Sequence, residues 1–386
     1  MTVVCLGYRA GFVEAARRAG LDLHLVVDKI KPGLKGLSYT KVADLSDAEE
    51  VLRAVTEHPG DKMSAVVTGH EHPMFSATVI RSVFGLPGDT DPARCLRFRD
   101  KRVQKRAVSP KIPTARCAYL NPSAPDYAAL AEQLGEVFVA KPADGFGSQA
   151  TEPIRGQEQL DDYLRRHPAR SDVSTVVESY VEGREIHVDG VWWDGRPAWT
   201  AVSGYLAPLM GWTKGEAVAD APLGPAESEL SARATRFAAE VLRELDAPDT
   251  VFHLEAFVRP DGELVLGEVG ARPAGALTPE VLRMTHGVDL YAATLDVGLG
   301  RAPELPVPPQ EPAELFGWIY LVRDAGRQLT EDDFRDRFDV VEVDYPAPEN
   351  DRVGTYGRCG HAIVKAATHE GLVDGLRAIA EFNRSV

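Results

Sequence analysis

The chain predicts a multidomain protein of mixed α/β and α+β class, and three observations carry that expectation. Its 386 residues exceed what one hydrophobic core typically fills, so two or three packed domains with clefts between them are expected. About the first ninety residues alternate strand and helix patterns, as a small parallel sheet requires. Beyond them strand patterns dominate and end in a strongly marked hairpin.

In order, Val3 to Gly7 reads as a strand, Phe12 to Ala19 as a helix, Leu21 to Val27 and Ala65 to Thr68 as strands, and the segment through Ile80 to Phe84 as a helix. The turn-rich Gly85 to Pro92 closes this unit. A helical, basic stretch is expected over Ala93 to Val108, with Pro110 and Pro113 after it. Strands follow at Glu136–Lys141, Val173–Ser179, Glu185–Trp193 and Pro197–Ser203. Residues 204–225 carry several Gly and Pro and read as one long loop. A helix over Ala226–Leu245 precedes the hairpin, two helical stretches follow it, and the Pro-rich run 301–314 reads as a stiff linker to a last α/β unit.

Composition narrows the function classes. The net charge of −15 opposes binding to nucleic acid or anionic lipid, so any phosphate must be bound locally. No run reaches the roughly 18 apolar residues of a membrane span, and the N-terminus lacks a basic segment followed by a long apolar stretch. Cys5, Cys95, Cys117 and Cys359 are too scattered for a metal pair or a disulfide framework. A cytoplasmic setting is expected.

The hairpin is the most informative segment. Residues 251–272 read VFHLEAFVRPDGELVLGEVGAR, two alternating runs around Asp261-Gly262, a strong two-residue turn signal. That turn pairs Pro260 with Glu263, Glu255 with Glu268 and His253 with Gly270, and with a period of two it puts His253, Glu255, Glu268 and Arg272 on one face. Two carboxylates then face each other with Cβ atoms about 5 Å apart. Either both are solvated, with Arg272 as an ion-pair partner, or a cation lies between them; sulfur-free carboxylate ligation suits Mg²⁺, for which Mn²⁺ can substitute.

Three weaker segments accompany it. FVAKPADGFGS, residues 138–148, is a strand ending in Lys141 followed by a loop with Gly145, Gly147 and Ser148, a pattern that lets backbone N–H groups approach a phosphate. RFRDKRVQKR, residues 97–106, sets Lys101 on a helix. TVVESYVEGREIHVDG, residues 175–190, breaks at Glu182-Gly183, so that backbone groups after Glu178 could meet an adenine edge and Glu185 a ribose. Loop 202–216 supplies Tyr205, Leu209, Trp212 and Lys214, either as an apolar-walled pocket or as a surface loop. His70-Glu71-His72 lacks HExxH spacing, precedes a Pro and reads as a strand-to-helix turn.

Taken in this order and spacing, the segments resemble the ATP-grasp superfamily, in particular carboxylate–amine ligases such as bacterial L-amino acid ligases and carnosine-synthase-like enzymes, over roughly residues 1–300. The resemblance implies an N-terminal α/β domain at 1–92, a small lid subdomain with its connecting helix at 93–180, a central domain with the metal hairpin at 181–300, and the linker and C-terminal unit at 301–386. It implies Lys101 and Lys141 on ATP phosphates under a loop of Gly145, Gly147 and Ser148; Glu178 with the backbone of Ser179, Tyr180 and Val181 at adenine; Glu185 at ribose; Mg²⁺ on Glu255 and Glu268; and Arg272 at the reacting carboxylate. The family's Asn two residues after the second metal carboxylate is replaced by Gly270. Either His253, predicted opposite, or a water fills that vacancy, or His253 packs against the glycine. The implied reaction joins a small-molecule carboxylate to an amine, both of amino-acid type, with loading of a carrier protein and a non-catalytic nucleotide-binding module as alternatives, and a homodimer as one assembly it allows.

Overall fold

The computed structural model describes residues 1–58, 62–145, 147–148, 150–168, 175–214, 216–306, 312–323, 329–346 and 358–384, with side chains at 212–214 left out of the description. The N-terminal segments β1 (Thr2–Leu6), β2 (Asp22–Val27), β3 (Ser38–Lys41) and β4 (Met63–Thr68) form a parallel sheet of order β3-β2-β1-β4. β1 and β4 are nearly continuous apolar runs because helices cover both faces. Those helices include α1 (Ala10–Arg18), α2 (Ala48–Glu57) and α3 (Met74–Phe84). Asp47 starts α2 by accepting from the backbone N–H groups of Glu49 and Glu50. One side of this core also takes Tyr291 and Leu295 from late in the chain, with the Phe12 and Tyr291 rings 4.9 Å apart.

The basic helical stretch expected over 93–108 is divided into two helices, α4 (Pro92–Arg97) and α5 (Lys101–Val108). The break occurs because Asp100 adopts extended geometry and caps α5, accepting from the N–H groups of Arg102 and Val103. Gln104 then fastens α5 to the hairpin, donating to Val269 O at 2.7 Å and accepting from Val269 N at 2.9 Å.

A small sheet of order β5-β8-β6-β7 follows, built from β5 (Cys117–Ala118), β6 (Phe138–Pro142), β7 (Glu152–Ile154) and β8 (Thr175–Ser179), and it packs on α6 (Tyr127–Leu134) and α7 (Gln157–Arg166) around Phe138, Leu160 and Tyr163. The start of the strand expected from Val173 lies outside the described residues.

The largest sheet has eight strands in the order β13-β12-β9-β10-β11-β14-β16-β15. They are β9 (Arg184–Trp193), β10 (Arg196–Tyr205), β11 (Ala219–Pro222), β12 (Thr250–Val258), β13 (Leu264–Gly270), β14 (Leu315–Val322), β15 (Val340–Asp344) and β16 (Arg358–Ala366). α8 (Ser228–Glu244) covers one face through Phe237, Val241 and Leu242 against Trp192, Phe252 and Leu254. α9 (Thr278–His286) and α10 (Leu290–Gly298) follow the hairpin, and α11 (Glu331–Arg335) and α12 (His369–Arg384) complete the C-terminal unit, whose strands continue the same sheet.

The long loop expected over 204–225 is corrected twice. Leu209–Lys214 forms a short 3-10 helix, and Ala219–Pro222 is β11, which joins β10 to the C-terminal β14. Its sequence, Ala-Asp-Ala-Pro, reads as a loop because an Asp in a central strand is unfavourable unless paired; here Asp220 is fully buried and meets His187 of β9, reaching across the intervening β10.

In the hairpin the predicted pairs Glu255–Glu268 and His253–Gly270 are present. The turn is different. Arg259 pairs with Glu263 around a three-residue loop, with Gly262 left-handed at φ +85°, and a bulge at Gly267 shifts the register once more. The two one-residue offsets cancel at the carboxylates.

Candidate active site

A cavity of about 110 Å³ lies between the small sheet and the hairpin end of the large one. Lys101, Lys141, Gly145, Gly147 and Ser148 line it, as do Glu178, Ser179, Tyr180, Val181 and Glu185. Tyr205, Glu255 and Glu268 line it too, whereas the predicted Arg272, His253 and Gly270 do not. The lining residues come from positions 101–268, yet they meet in one place.

Local structure explains how each is aimed. The Asp100 cap starts α5 at Lys101, whose backbone N–H donates to Ala143 O at 3.0 Å and whose ammonium donates to Gly145 O at 2.5 Å and pairs with Glu268 at 2.8 Å. Gly147 is left-handed at φ +59°, and the side-chain-bearing Ser148 and Ala150 are left-handed as well. This local strain is concentrated in the loop expected to meet phosphate. Phe146 and Gln149 of that loop lie outside the described residues.

Glu178 is buried and bridges Lys105 and Lys141, one oxygen to each. Burial would raise its carboxyl, but the two ammonium groups overturn this and hold it down at about 2. Glu268 is likewise held at about 2 by Lys101 and then Lys141 against the pull of burial. Burial pushes Lys105 down, whereas Lys141, between Glu178 and Glu268, is held above its ordinary value despite burial. Burial lifts Glu185 to about 7, although Leu209 N donates to it at 2.9 Å. Lys105 was not among the predicted residues; its i+4 spacing from Lys101, behind an Asp cap, was the available signal.

Behind Glu255 runs a second charged chain. Tyr205 donates to Glu255 at 3.2 Å, and His253 Nε2 lies 3.3 Å from the same oxygen. His253 Nδ1 meets Asp189 at 2.9 Å, Asp189 meets His187 Nδ1 at 2.6 Å, and His187 Nε2 meets Asp220. Burial would lower both imidazoles. Asp189 overturns this for His253, with help from Glu255, and lifts it to about 9; Asp220 and Asp189 raise His187 well above its ordinary value. Both nitrogens of His253 thus face acids, so the imidazole is not poised to offer a lone pair to a cation in the place of the missing Asn. His187, Asp189 and His253 lie within the spacing of a metal cluster, but their N–O contacts are hydrogen-bond lengths and bind the group to itself. The signal for them was His187 and Asp189 alternating in an otherwise apolar central strand.

Arg272 and His253 line a second cavity of about 300 Å³ that shares Tyr205, Glu255 and Glu268 with the first. Arg272 pairs with Glu71 and donates to Pro273 O at 2.8 Å. Gly270 stands beside that pair: a Cβ built on it would come within 3.2 Å of the Glu71 carboxylate. The glycine leaves room for the N-terminal unit to reach Arg272. His70, Glu71 and His72, read from sequence as a plain turn, do form one, but it lies on this cavity. The side chains of Trp212 and Lys214 lie outside the described residues.

Among known proteins, the chain is 24% identical over 256 residues to an L-arginine-specific L-amino acid ligase of Bacillus subtilis, covering 64% of this chain and 60% of that protein. It is 26% identical over 354 residues to carnosine synthase 1 of Gallus gallus, covering 84% of this chain but 37% of the relative. The chain therefore spans less than two thirds of the length of either. No protein-family model matches it. Among solved structures, the L-amino acid ligase of Bacillus licheniformis superposes with a TM-score of 0.74 at 16% identity, covering 99% and 97% of the two chains. A carboxyaminoimidazole ribonucleotide synthase from Aspergillus clavatus, complexed with ATP, superposes with a TM-score of 0.75 at 16% identity, covering 99% of each. No helix among the described residues is long and apolar enough to cross a membrane.

Proposed function

We propose that this chain, which has the ATP-grasp fold of the carboxylate–amine ligases, activates an amino-acid-type carboxylate with ATP and joins it to an amine, releasing ADP and phosphate. The observation that carries this reading is the convergence of the lysines, the glycine loop and the facing carboxylates on one cavity. The likeness to L-amino acid ligases supports the choice of substrates.

In the first step a carboxylate oxygen attacks the γ-phosphorus and the bond to ADP breaks, giving an acyl phosphate. The amine nitrogen then attacks the acyl carbon, phosphate leaves, and the nitrogen loses a proton. Lys101 and Lys141 would bind phosphate oxygens, exchanging their present carboxylate partners for them. The backbone of Ser179 to Val181 would meet the adenine edge and Glu185 the ribose. Arg272, released from Glu71, would hold the reacting carboxylate and its oxyanion, a contribution of about 3 kcal/mol.

Glu255 and Glu268 would hold Mg²⁺. The donors fit: both are carboxylates on opposed strand positions, each side chain 29% exposed and on the wall of both cavities. When bound, the ion neutralises phosphate charge. The test is release of ADP across a matrix of amino-acid pairs, with product masses. Glu268→Gln is expected to lower kcat by about 10²- to 10³-fold with an unchanged circular-dichroism spectrum; full activity in that variant refutes the reading.

A further inference from the structure

The second cavity has an end that the proposed chemistry leaves unused. Arg9, just before α1, and Arg358, at the start of β16, both line it, on the same cavity as Glu255 and Glu268. Arg9 donates to Ala274 O at 2.5 Å and bonds Tyr291. The Arg358 guanidinium lies over the Tyr320 ring, 4.5 Å from its centroid. Among the described residues, no carboxylate is within ion-pair distance of either, although Arg272 on the same cavity is paired with Glu71. Of the nearby acids, Glu280 accepts at 3.1 Å from the hydroxyl of Tyr291, the residue that Arg9 also bonds, and keeps its other oxygen buried without a hydrogen-bond partner, while Glu342 pairs with His361 at 3.0 Å. In a chain with a net charge of −15, two arginines on one cavity, neither with a carboxylate at ion-pair distance among the described residues, are conspicuous. Lys31 adds to the cluster: burial pushes its ammonium down, and though Asp28 opposes this, Arg9 and Arg358 push it the same way as burial.

We infer that Arg9 and Arg358 bind a second anionic group, carboxylate or phosphate, carried by the substrate whose reacting end lies at Glu255 and Glu268. This rests on the ligase reading for the identity of the reacting end. Planar guanidinium forks match the oxygens of either anion, which a neutral group cannot exploit. Trp318 and Tyr320, both buried on this cavity with ring centroids 4.7 Å apart and planes tilted by 51°, supply an aromatic wall for the part of the substrate between its two ends. The substrate class is thus an acid or amine bearing an additional negative charge.

Binding tests the site without turnover. The full chain, saturated with a non-hydrolysable ATP analogue, is titrated calorimetrically with succinate and with inorganic phosphate, and with butyrate as the singly charged control. Succinate or phosphate is expected to bind at least about tenfold more weakly to Arg9→Gln and to Arg358→Gln than to the wild type. Arg337→Gln, whose guanidinium lies over Phe382, controls for net charge and should bind as the wild type does. Equal affinity in either folded Arg9 or Arg358 variant, or butyrate binding as tightly as succinate, overturns the inference. ADP release with the extra anion placed first on the acid and then on the amine identifies which substrate carries it, and succinate against phosphate identifies its chemistry. Binding without ADP release from any pair removes the ligase reading and leaves the anion site; ADP release indifferent to the extra anion, in wild type and variants alike, does the reverse.

Discussion

Two carboxylates sit at the centres of two charged clusters on either side of the Glu255–Glu268 pair, and they differ in what holds them. Glu178 lies between Lys105 and Lys141, which arrive on flexible stems from α5 and β6. Asp189 lies between His187 and His253, whose short side chains project from β9 itself and the adjacent β12. Lys141 lines a cavity and can turn to another anion, with Lys105 buried behind it. The histidines are locked into one sheet with their partners buried and are built to stay. One cluster is exchangeable, and the other is scaffold.

The largest effect that breaks this contrast comes from Asp189→Asn. It leaves two buried imidazoles without their shared acid and should destabilise the chain by about 3–5 kcal/mol. Because Asp189 holds His253 up at about 9, this stability is fully present below the unfolded value near 6.5 and is lost as pH rises through about 9. Denaturant unfolding at pH 6 and pH 9.5, without divalent cations, should show the gap to wild type narrowing on the alkaline side. A pH-independent gap would separate Asp189 from the imidazoles.

Glu178→Gln should act at the other end of the scale. Its folded-state value of about 2 lies below the unfolded one near 4.3, so its stabilisation, on the order of 2–3 kcal/mol, is present above that and is lost as pH falls towards 2. Acid titration of stability checks it: the wild type should lose its advantage between about pH 4.5 and 2, and retention of that advantage at pH 2 would contradict the ion-pair account.

The smallest effect concerns the hairpin. A Cβ at Gly267 would sit 3.0 Å from Glu255 O, so Gly267→Ala should cost about 1 kcal/mol by pressing the strands apart. Its sharper readout is Mg²⁺ affinity measured by calorimetry, expected to fall because the two carboxylates move relative to each other. Unchanged affinity would mean the bulge tolerates a methyl.

The hairpin was legible because alternation and an Asp-Gly pair are local signals, and the facing carboxylates follow from them. The bulge was not, since a glycine inside a strand looks the same whether or not it shifts register. β11 was illegible for a different reason: Asp220 belongs in a strand only because His187, 33 positions earlier, is waiting for it. The same holds for Glu71 and Arg272, which are 201 positions apart. Pairings of that span are products of topology, and no window of the sequence contains them.

The Gly267 bulge has one more consequence. A strand with a period of two has two possible frames, and β13 uses both. Leu264 and Leu266 join the core and Glu268 faces the cavity, yet Val269 is in the core again. Membership of this core cluster therefore changes parity across one glycine, with the even positions Leu264 and Leu266 before it and the odd position Val269 after it. In this strand Gly267 works as a frameshift: it lets the strand be anchored in the core at both ends while an acid emerges from its middle.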